Sequence, residues 1–167
     1  QYDISSLRTL FLAGERLDPP TYEWLDGIMN CPVVDHWWQT ESGWPMCSNP
    51  MGLEPHPVKV GSATFPVPGY DIQVLDDEGQ PCEPGTTGNI VVKLPLPPSC
   101  FPTLWNDDER FQKSYLSQFP GYYQTGDGGI IDEDGYVWIM ARTLQIDEAT
   151  YDSLVKKVAD YGYDTAK

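Results

Sequence analysis

The sequence has little positive charge. It contains 10 lysines and arginines against 25 aspartates and glutamates, which gives a formal net charge of −15. Because nucleic-acid backbones and anionic membranes attract basic surfaces, this balance argues against a nucleic acid or a membrane as the main partner. A nucleotide is not excluded, since a few local groups can hold one.

Long apolar runs are also absent from the sequence. None approaches the length of a membrane span, and no charged and then apolar signal segment opens the chain. The first residues, QYDISSLRTLFLAGE, enter a strand-like run almost at once. This start predicts that the chain is a piece of something longer.

Clustered metal ligands and paired cysteines are missing as well. The four cysteines, Cys31, Cys47, Cys82 and Cys100, are widely spaced and form no C-x-x-C pair. We expect free, mostly buried thiols in a reducing compartment rather than a disulfide framework. Two histidines are too few to complete a zinc site.

The first fifty residues have the pattern of a βαβ unit. LRTLFLAGE and CPVVDHWW are short apolar runs, and PPTYEWLDGIM between them has proline where a helix start tolerates it. Strand, helix and strand in this order predict parallel strands of a larger sheet. One such unit cannot bury both faces of a sheet, which again indicates a fragment.

After Met51 the pattern changes to short strands separated by glycine and proline. We predict strands at PVKVGSAT, YDIQVLD, GNIVVKL and GYVWIMAR. Frequent turns between them favour an antiparallel meander or a small barrel. DDERFQKSYLSQF is predicted to be a helix with acids in its first turn. LPLPPSCFPTLWN has too many prolines to form a central strand.

The end of the chain predicts an amphipathic helix. In IDEATYDSLVKKVADYGYD, one helical face collects Tyr151, Leu154, Val155 and Val158. The predicted fold class is therefore α+β: a partial βαβ unit, then a small antiparallel β-barrel or meander, then a C-terminal amphipathic helix.

One stretch, DHWWQTESGWP, combines three tryptophans with several hydrogen-bonding side chains. Core strands accept the aromatics but not the polar groups, so the stretch predicts one wall of a site. Ordered motifs then identify the family that the chain resembles: FLAGERLDP, DHWWQTESGWP, GLEPHPVKVGSAT, VPGYDIQVLDDEGQP, GNIVVKLPLPP, LWNDDERF and GYYQTGDGGIIDEDGYVWI. Over residues 1–142 the chain closely resembles the AMP-forming acyl-CoA synthetases, in particular the acetyl- and propionyl-CoA synthetase branch.

The resemblance implies a domain division and a reaction. Residues 1–52 would be the remnant of a nucleotide-binding α/β subdomain, residues 53–142 a small β-barrel subdomain, and residues 143–167 a C-terminal helical segment. In the family a short-chain carboxylate attacks the α-phosphorus of ATP, which yields acyl-adenylate and pyrophosphate, and CoA then takes the acyl group. The implied ligands are ATP or AMP, Mg²⁺ and CoA, and the implied partner is the missing remainder of the synthetase.

Site residues follow from the same resemblance. Gly14, Glu15 and Arg16 would contact the adenine ring, although in isolation a loop that simply closes a strand is the preferred explanation. Asp127, in QTGDGG, would accept hydrogen bonds from the ribose hydroxyls, with a plain turn acid as the alternative. Arg142 would be a second contact on the ribose side.

The aromatic stretch supplies the remaining roles. Gln39 and Thr40 would donate to the α-phosphate, and Glu41 would bind magnesium, which accepts one or two carboxylates plus substrate phosphates. Trp38 would limit the acyl pocket to a short chain such as acetate or propionate. For Trp37 or Trp38, ordinary core packing is the alternative. DEDG, residues 132–135, favours a hairpin turn over a calcium site.

The pattern also departs from the family. The sequence contains no Ser/Thr/Gly-rich loop with lysine, which grips the β- and γ-phosphates in the family. Ala141 replaces the hinge glycine, and Leu144 and Gln145 stand at the hinge acids. No lysine of the last helix lies in a matching motif. We therefore expect weak nucleotide binding, with the possibility of none, and no independent catalysis.

The last residues resemble a different family. GYVWIMARTLQIDEATYDSLVKKVADYGYDTAK is similar to the closing strand and helix of bacterial-type lipocalins. The chain thus resembles a chimera, natural, engineered or misassembled. The alternative functions are a lipocalin-like barrel that binds a small ligand, or an engineered chimera without native function. The synthetase resemblance implies the cytoplasm, with the mitochondrial matrix as the alternative.

Overall fold

A strand–helix–strand unit opens the fold. The computed structural model describes residues 3–140, together with residues 152, 153, 155–157 and 159. Strand β1 (Leu10–Leu12) leads to helix α1 (Pro19–Ile28) and then to strand β2 (Val33–Trp37). β1 and β2 pair in parallel, with Leu10 opposite Val33. The predicted βαβ unit is confirmed.

Local chemistry explains where α1 begins and which side it buries. The carboxylate of Asp18 accepts a hydrogen bond from the backbone N–H of Thr21 at 3.1 Å and so caps the helix start. The next two residues are prolines, whose missing N–H groups cost nothing in a first turn. Tyr22, Leu25 and Met29 are half-buried along one side of the helix, as their spacing predicts.

Two short antiparallel strands complete the first sheet. β3 (Cys47–Ser48) pairs with β2, and β4 (Phe65–Pro66) pairs with β3. The strand predicted at residues 57–64 is wrong. Gly61 and Thr64 have φ angles of 83° and 70°, which are incompatible with an extended strand.

Four antiparallel strands form the second sheet. They follow one another as a meander, β5 (Ile72–Leu75), β6 (Gly88–Lys93), β7 (Tyr122–Ile131) and β8 (Val137–Met140). This confirms the predicted antiparallel meander. β7 was not predicted as a strand because its sequence, YYQTGDGGII, is rich in glycine, which weakens strand propensity.

Connections in the second half match the sequence pattern closely. The link from β6 to β7 contains helix α2 (Asp108–Phe111), which continues as a π-helical segment (Gln112–Leu116), so the predicted helix is confirmed. Asp132–Gly135 forms the turn between β7 and β8, with the N–H of Gly135 donating to the carbonyl of Asp132 at 2.9 Å. This confirms the hairpin predicted for DEDG.

A shared core joins the two sheets. Met46, Cys47 and Ala63 from the first half pack with buried residues of the second sheet such as Val92 and Val137. Each fully buried aliphatic side chain stabilises the fold by about 1.5–3 kcal/mol. All four cysteines are free thiols, but Cys47 alone is fully buried among them and the other three are half-buried.

The described part of the C-terminal segment is helical. Residues 152, 153, 155–157 and 159 are in helical conformation, which agrees with the predicted helix. Several predicted positions lie outside the described residues: Ala141, Arg142, Leu144, Gln145, Tyr151, Leu154 and Val158. Across the described ranges, no helix is both long and apolar enough to cross a bilayer. The predicted domain boundaries stay predictions.

Candidate active site

A cavity of about 900 Å³ lies between the carboxyl ends of β1 and β2 and the second sheet. The carboxyl ends of parallel strands are where α/β sheets commonly bind ligands. Four parts of the chain line the cavity: the loop after β1, the end of β2 with the segment that follows it, the segment before β4, and strands β7 and β8. The lining residues are Ala13, Gly14, Glu15, Arg16, Asp35, His36, Trp37, Trp38, Gln39, Thr40, Gly61, Ala63, Asp127, Ile139 and Met140.

The loop after β1 forms an exposed wall of the cavity. Gly14 has a φ of 104°, which only glycine adopts without strain, and the chain turns there into the cavity wall. The guanidinium carbon of Arg16 lies 5.9 Å from the ring centroid of Trp138, within cation–π range. A Cβ on Gly61 would come within 2.6 Å of the Arg16 Nε, so glycine leaves the space that this side chain occupies.

Asp35 and His36 at the end of β2 stabilise the loop after β1. The carboxylate of Asp35 accepts a hydrogen bond from the N–H of Leu17 at 2.9 Å. Burial raises the pKa of Asp35, and this hydrogen bond acts in the opposite direction. The Nδ1 of His36 lies 2.7 Å from the carbonyl oxygen of Leu12. These contacts place the loop residues relative to β2.

The two adjacent tryptophans have different environments. Trp37 is half-buried and packs against the core, as expected for one of the pair. Trp38 lines the cavity and is 48% exposed, so it belongs to the wall rather than to the core. Thr40, the first residue of a short 3₁₀ turn (Thr40–Ser42), lines the cavity beside it.

Asp127 reaches the cavity because β7 bulges. The pairing of β7 with β6 shifts register between Asn89 and Val91, opposite Thr125–Asp127. Gly126 has a φ of 82°, a conformation that favours glycine. The hydroxyl of Thr125 donates to the carbonyl of Ile90 at 2.7 Å and accepts from the N–H of Asp127 at 3.1 Å. The bulge therefore directs a carboxylate out of the strand.

The side-chain amide of Gln39 connects the two walls. Its Nε2 donates to the carboxylate of Asp127 and to the carbonyl of Thr125, both at 2.7 Å. Its Oε1 accepts from the hydroxyl of Tyr123 at 3.1 Å. Sequence reasoning missed Thr125 and Tyr123 as members of this network. The only signal was their position within two and four residues of Asp127.

Glu41 does not line the cavity. Its carboxylate accepts a hydrogen bond from the hydroxyl of Tyr115 at 3.2 Å. Tyr115 in turn stacks on Tyr123, with ring centroids 5.6 Å apart. The described residues contain no group of three or more His, Cys, Asp or Glu that could hold a metal ion. A magnesium ion held by one carboxylate and substrate phosphates needs no such group, so the metal role of Glu41 stays a prediction.

The structure thus brings most of the predicted site residues to one cavity. Gly14, Glu15, Arg16, Trp38, Gln39, Thr40 and Asp127 all line it. Glu41 is not among the lining residues, and Arg142 is outside the described residues. The assembled groups are a planar cation, hydroxyl and amide groups, an exposed indole and a carboxylate. This combination suits a ligand that carries an anion, a sugar and an apolar part.

Comparisons with known proteins identify the family to which the sequence is similar. Residues 1–101 match the family model of the AMP-binding enzymes, and residues 131–167 match the model of the lipocalin-like domain. The chain is 54% identical over 143 residues to an uncharacterized protein of Pseudomonas aeruginosa, an alignment that covers 86% of this chain and 23% of the relative. An alignment of 143 residues within a chain of 167 must include β7, whatever its starting residue.

Two further relatives have functional names. Acyl-CoA synthetase short-chain family member 3, mitochondrial, of Homo sapiens is 47% identical over 146 residues, which is 85% of this chain and 21% of that protein. Propionate–CoA ligase of Escherichia coli is 47% identical over 145 residues, 86% of this chain and 23% of that protein. The chain spans less than a quarter of the length of these relatives. The matches confirm the resemblance that the motifs indicated, and the chain belongs to the family of AMP-binding enzymes.

Proposed function

We propose that this chain supplies the adenylate-binding wall of a short-chain acyl-CoA synthetase. In that reaction a carboxylate, ATP and CoA give acyl-CoA, AMP and pyrophosphate. One observation carries the proposal: the loop Gly14–Arg16, the segment Trp38–Thr40 and Asp127 line a single cavity of about 900 Å³. That volume is within the usual range for small-molecule sites.

Each wall offers a group for one part of an adenylate. The carboxylate of Asp127 can accept hydrogen bonds from ribose hydroxyls, which are charge-assisted and therefore strong. The loop after β1 offers backbone and the Arg16 guanidinium to the base. Thr40 offers a hydroxyl to the α-phosphate, and the exposed indole of Trp38 limits the length of an acyl chain beside it.

Catalysis needs more positive charge than these groups provide. Attack of a carboxylate on a triphosphate brings two anions together, so the barrier falls mainly through positioning and charge neutralisation. Arg16 is the one lysine or arginine among the described lining residues. We therefore propose that the chain alone binds adenylate weakly and does not form it. Magnesium, CoA and the remainder of a synthetase belong to the complete reaction.

Calorimetric titration with AMP tests the binding part of the proposal. We expect saturable binding at one site, weakened about tenfold or more by Asp127→Ala, since hydrogen bonds to charged groups contribute about 1.5–3 kcal/mol. Asp71→Ala is the matched control, because Asp71 also accepts a hydrogen bond from a glutamine amide but lies away from the cavity. An AMP affinity that Asp127→Ala leaves unchanged would contradict the proposal.

Pyrophosphate exchange tests the proposal that the chain alone does not form acyl-adenylate. With acetate or propionate and Mg-ATP, we expect the chain to give no more exchange than its Asp127→Ala variant. Turnover above that control would show that the chain is catalytically complete. The cytoplasm and the mitochondrial matrix both stay predictions, although one relative is named as mitochondrial.

A lipocalin-like binding function has a narrower basis. The matching family model covers residues 131–167, which include β8 but not β5 or β6 of the second sheet. Displacement of a fluorescent fatty-acid probe distinguishes the two functions. We expect a flat titration, whereas saturation at one site would favour the lipocalin-like alternative.

A further inference from the structure

We infer that Gln39 is a positioning residue for the ribose-binding carboxylate of Asp127, an inference that rests on the proposed function. A glutamine amide has two N–H donors and one carbonyl acceptor. Here the donors bind Thr125 and Asp127, and the carbonyl accepts from Tyr123. Both N–H groups are thus used inside the protein, which leaves none for the α-phosphate.

The surroundings of Gln39 fix which way its amide points. If the amide were reversed, its oxygen would face the Thr125 carbonyl and the Asp127 carboxylate, which are both acceptors. Tyr123 is 3% exposed and is stacked on Tyr115, so its hydroxyl is held in place. Burial also raises the pKa of Tyr123, which keeps this hydroxyl protonated and able to donate at neutral pH.

The amide also replaces contacts that the bulge removes. Residues Thr125–Asp127 leave the regular pairing with β6, so the backbone there needs other hydrogen-bond partners. The side chain of Gln39, two residues after β2, donates hydrogen bonds to both the carbonyl of Thr125 and the Oδ2 of Asp127. We assign the other carboxylate oxygen, Oδ1, to the ligand. Gln39 thereby fixes the position of the Asp127 carboxylate relative to the segment after β2.

Three ligands separate the possible roles of Gln39. AMP and 2′,3′-dideoxy-AMP differ in the ribose hydroxyls, and AMP and adenosine differ in the phosphate. In Gln39→Leu we expect the preference for AMP over the dideoxy ligand to fall about tenfold, the order of one charge-assisted hydrogen bond. The preference for AMP over adenosine should stay within about twofold, because it depends on contacts that this variant keeps.

Gln73→Leu is a closely matched control. The amide of Gln73 also donates to a carboxylate, that of Asp71, and also accepts from a tyrosine, Tyr122. It lies on β5 and does not line the cavity. We expect this variant to bind all three ligands like the wild type. Gln39→Leu combined with Asp127→Ala should have the affinities of Asp127→Ala alone, since both changes remove one interaction.

Gln39→Glu gives a second test that depends on pH. Two ionised carboxylates at this distance repel each other, and the introduced side chain can donate to Asp127 only while it is protonated. The ribose preference should therefore be weak at neutral pH and recover as the pH falls toward 5. The same pH series on the wild type is the control for the titratable groups already around this part of the site, which are Glu15, Asp35, His36, Glu41, Tyr115 and Tyr123. A merely structural role of Gln39 predicts no recovery of the ribose preference at low pH, so recovery in Gln39→Glu would exclude that role.

The outcomes are distinguishable. If the wild type does not prefer AMP over the dideoxy ligand, the ribose role of Asp127 fails and the proposed function fails with it. If the wild type has this preference but Gln39→Leu keeps it and loses the preference for phosphate, the inference is overturned and Gln39 contacts the α-phosphate. If Gln39→Leu does not fold, a Gln39→Glu profile without recovery at low pH overturns the inference as well.

Discussion

The turn between β7 and β8 offers the most quantitative prediction, the effect of Asp132→Asn. The carboxylate of Asp132 accepts four hydrogen bonds: from the backbone N–H groups of Asp134 and Tyr136 at 3.0 and 2.9 Å, from the ammonium of Lys59 at 2.7 Å, and from the indole of Trp138 at 3.0 Å. Asparagine has the same shape but one acceptor oxygen and one donor group. Whichever way its amide points, two donors would face its NH₂ group.

The magnitude follows from the pKa of Asp132. Burial acts to raise this pKa, but the hydrogen bonds from Lys59, Trp138 and the turn backbone outweigh it and lower the pKa from 3.8 to about 2. That difference corresponds to roughly 2 kcal/mol of folding free energy when the carboxyl group is ionised. The side chain is 22% exposed, so solvent screening removes a modest share. We expect Asp132→Asn to lower the free energy of unfolding by about 1–3 kcal/mol at pH 7.

Urea unfolding at a series of pH values measures this effect. Because the folded-state pKa is lowered, the contribution is fully present above pH 4 and disappears as the pH falls through about 2. The difference between wild type and Asp132→Asn should shrink over that interval. Asp134→Asn is the control, since Asp134 is 73% exposed and has the same lysine partner. Equal losses in both variants, or a difference that does not depend on pH, would refute the reasoning.

Three further predictions concern the site and the core. Gly126→Ala forces a φ of 82° on alanine, so we expect a loss of about 1–2 kcal/mol in urea unfolding and weaker AMP binding in calorimetry; unchanged affinity would contradict the bulge argument. Trp38→Ala should raise the affinity for a hexanoyl sulfamoyl-adenosine relative to its propionyl analogue, and an unchanged ratio would remove Trp38 from the acyl pocket. Cys47 is fully buried, and burial raises its thiol pKa, so in mass spectrometry iodoacetamide should modify Cys31 well before Cys47; equal rates would contradict this.

Sequence periodicity predicted the parts of the fold that depend on local patterns. The spacing of Tyr22, Leu25 and Met29 predicted the buried side of α1, and β-branched runs predicted β2, β5 and β6. Glycine-rich β7 was missed because its stability comes from two neighbouring strands rather than from its own residues. The strand predicted at residues 57–64 failed for the reverse reason. Its residues are favourable for a strand, but a turn at residues 60 and 61 and irregular contacts of Ser62 and Thr64 with Val137 of β8 replace regular pairing.

Motifs also predicted which residues meet at the cavity, because the order of strands fixes which loop ends lie together. They did not predict how the members are arranged. Glu41 adjoins Thr40 in sequence, yet its side chain contacts Tyr115 and does not line the cavity, since the short 3₁₀ turn rotates successive side chains to different sides. The motif therefore predicted which residues lie near the cavity but not which of their side chains point into it.

The contact that defines the site is one that no local pattern contains. The hydrogen bonds from Gln39 to Thr125 and Asp127 span 86 and 88 positions of the chain. Because these bonds join the segment after β2 to the bulge of β7, the carboxylate has a fixed direction only when both sheets have formed around their shared core. Nucleotide binding should then depend on the packing of the whole described fold. On the proposed function, a chain with a formal charge of −15 would bind an anionic ligand through the local donors of the cavity, such as the Arg16 guanidinium and the Thr40 hydroxyl, because distant carboxylates are screened by salt.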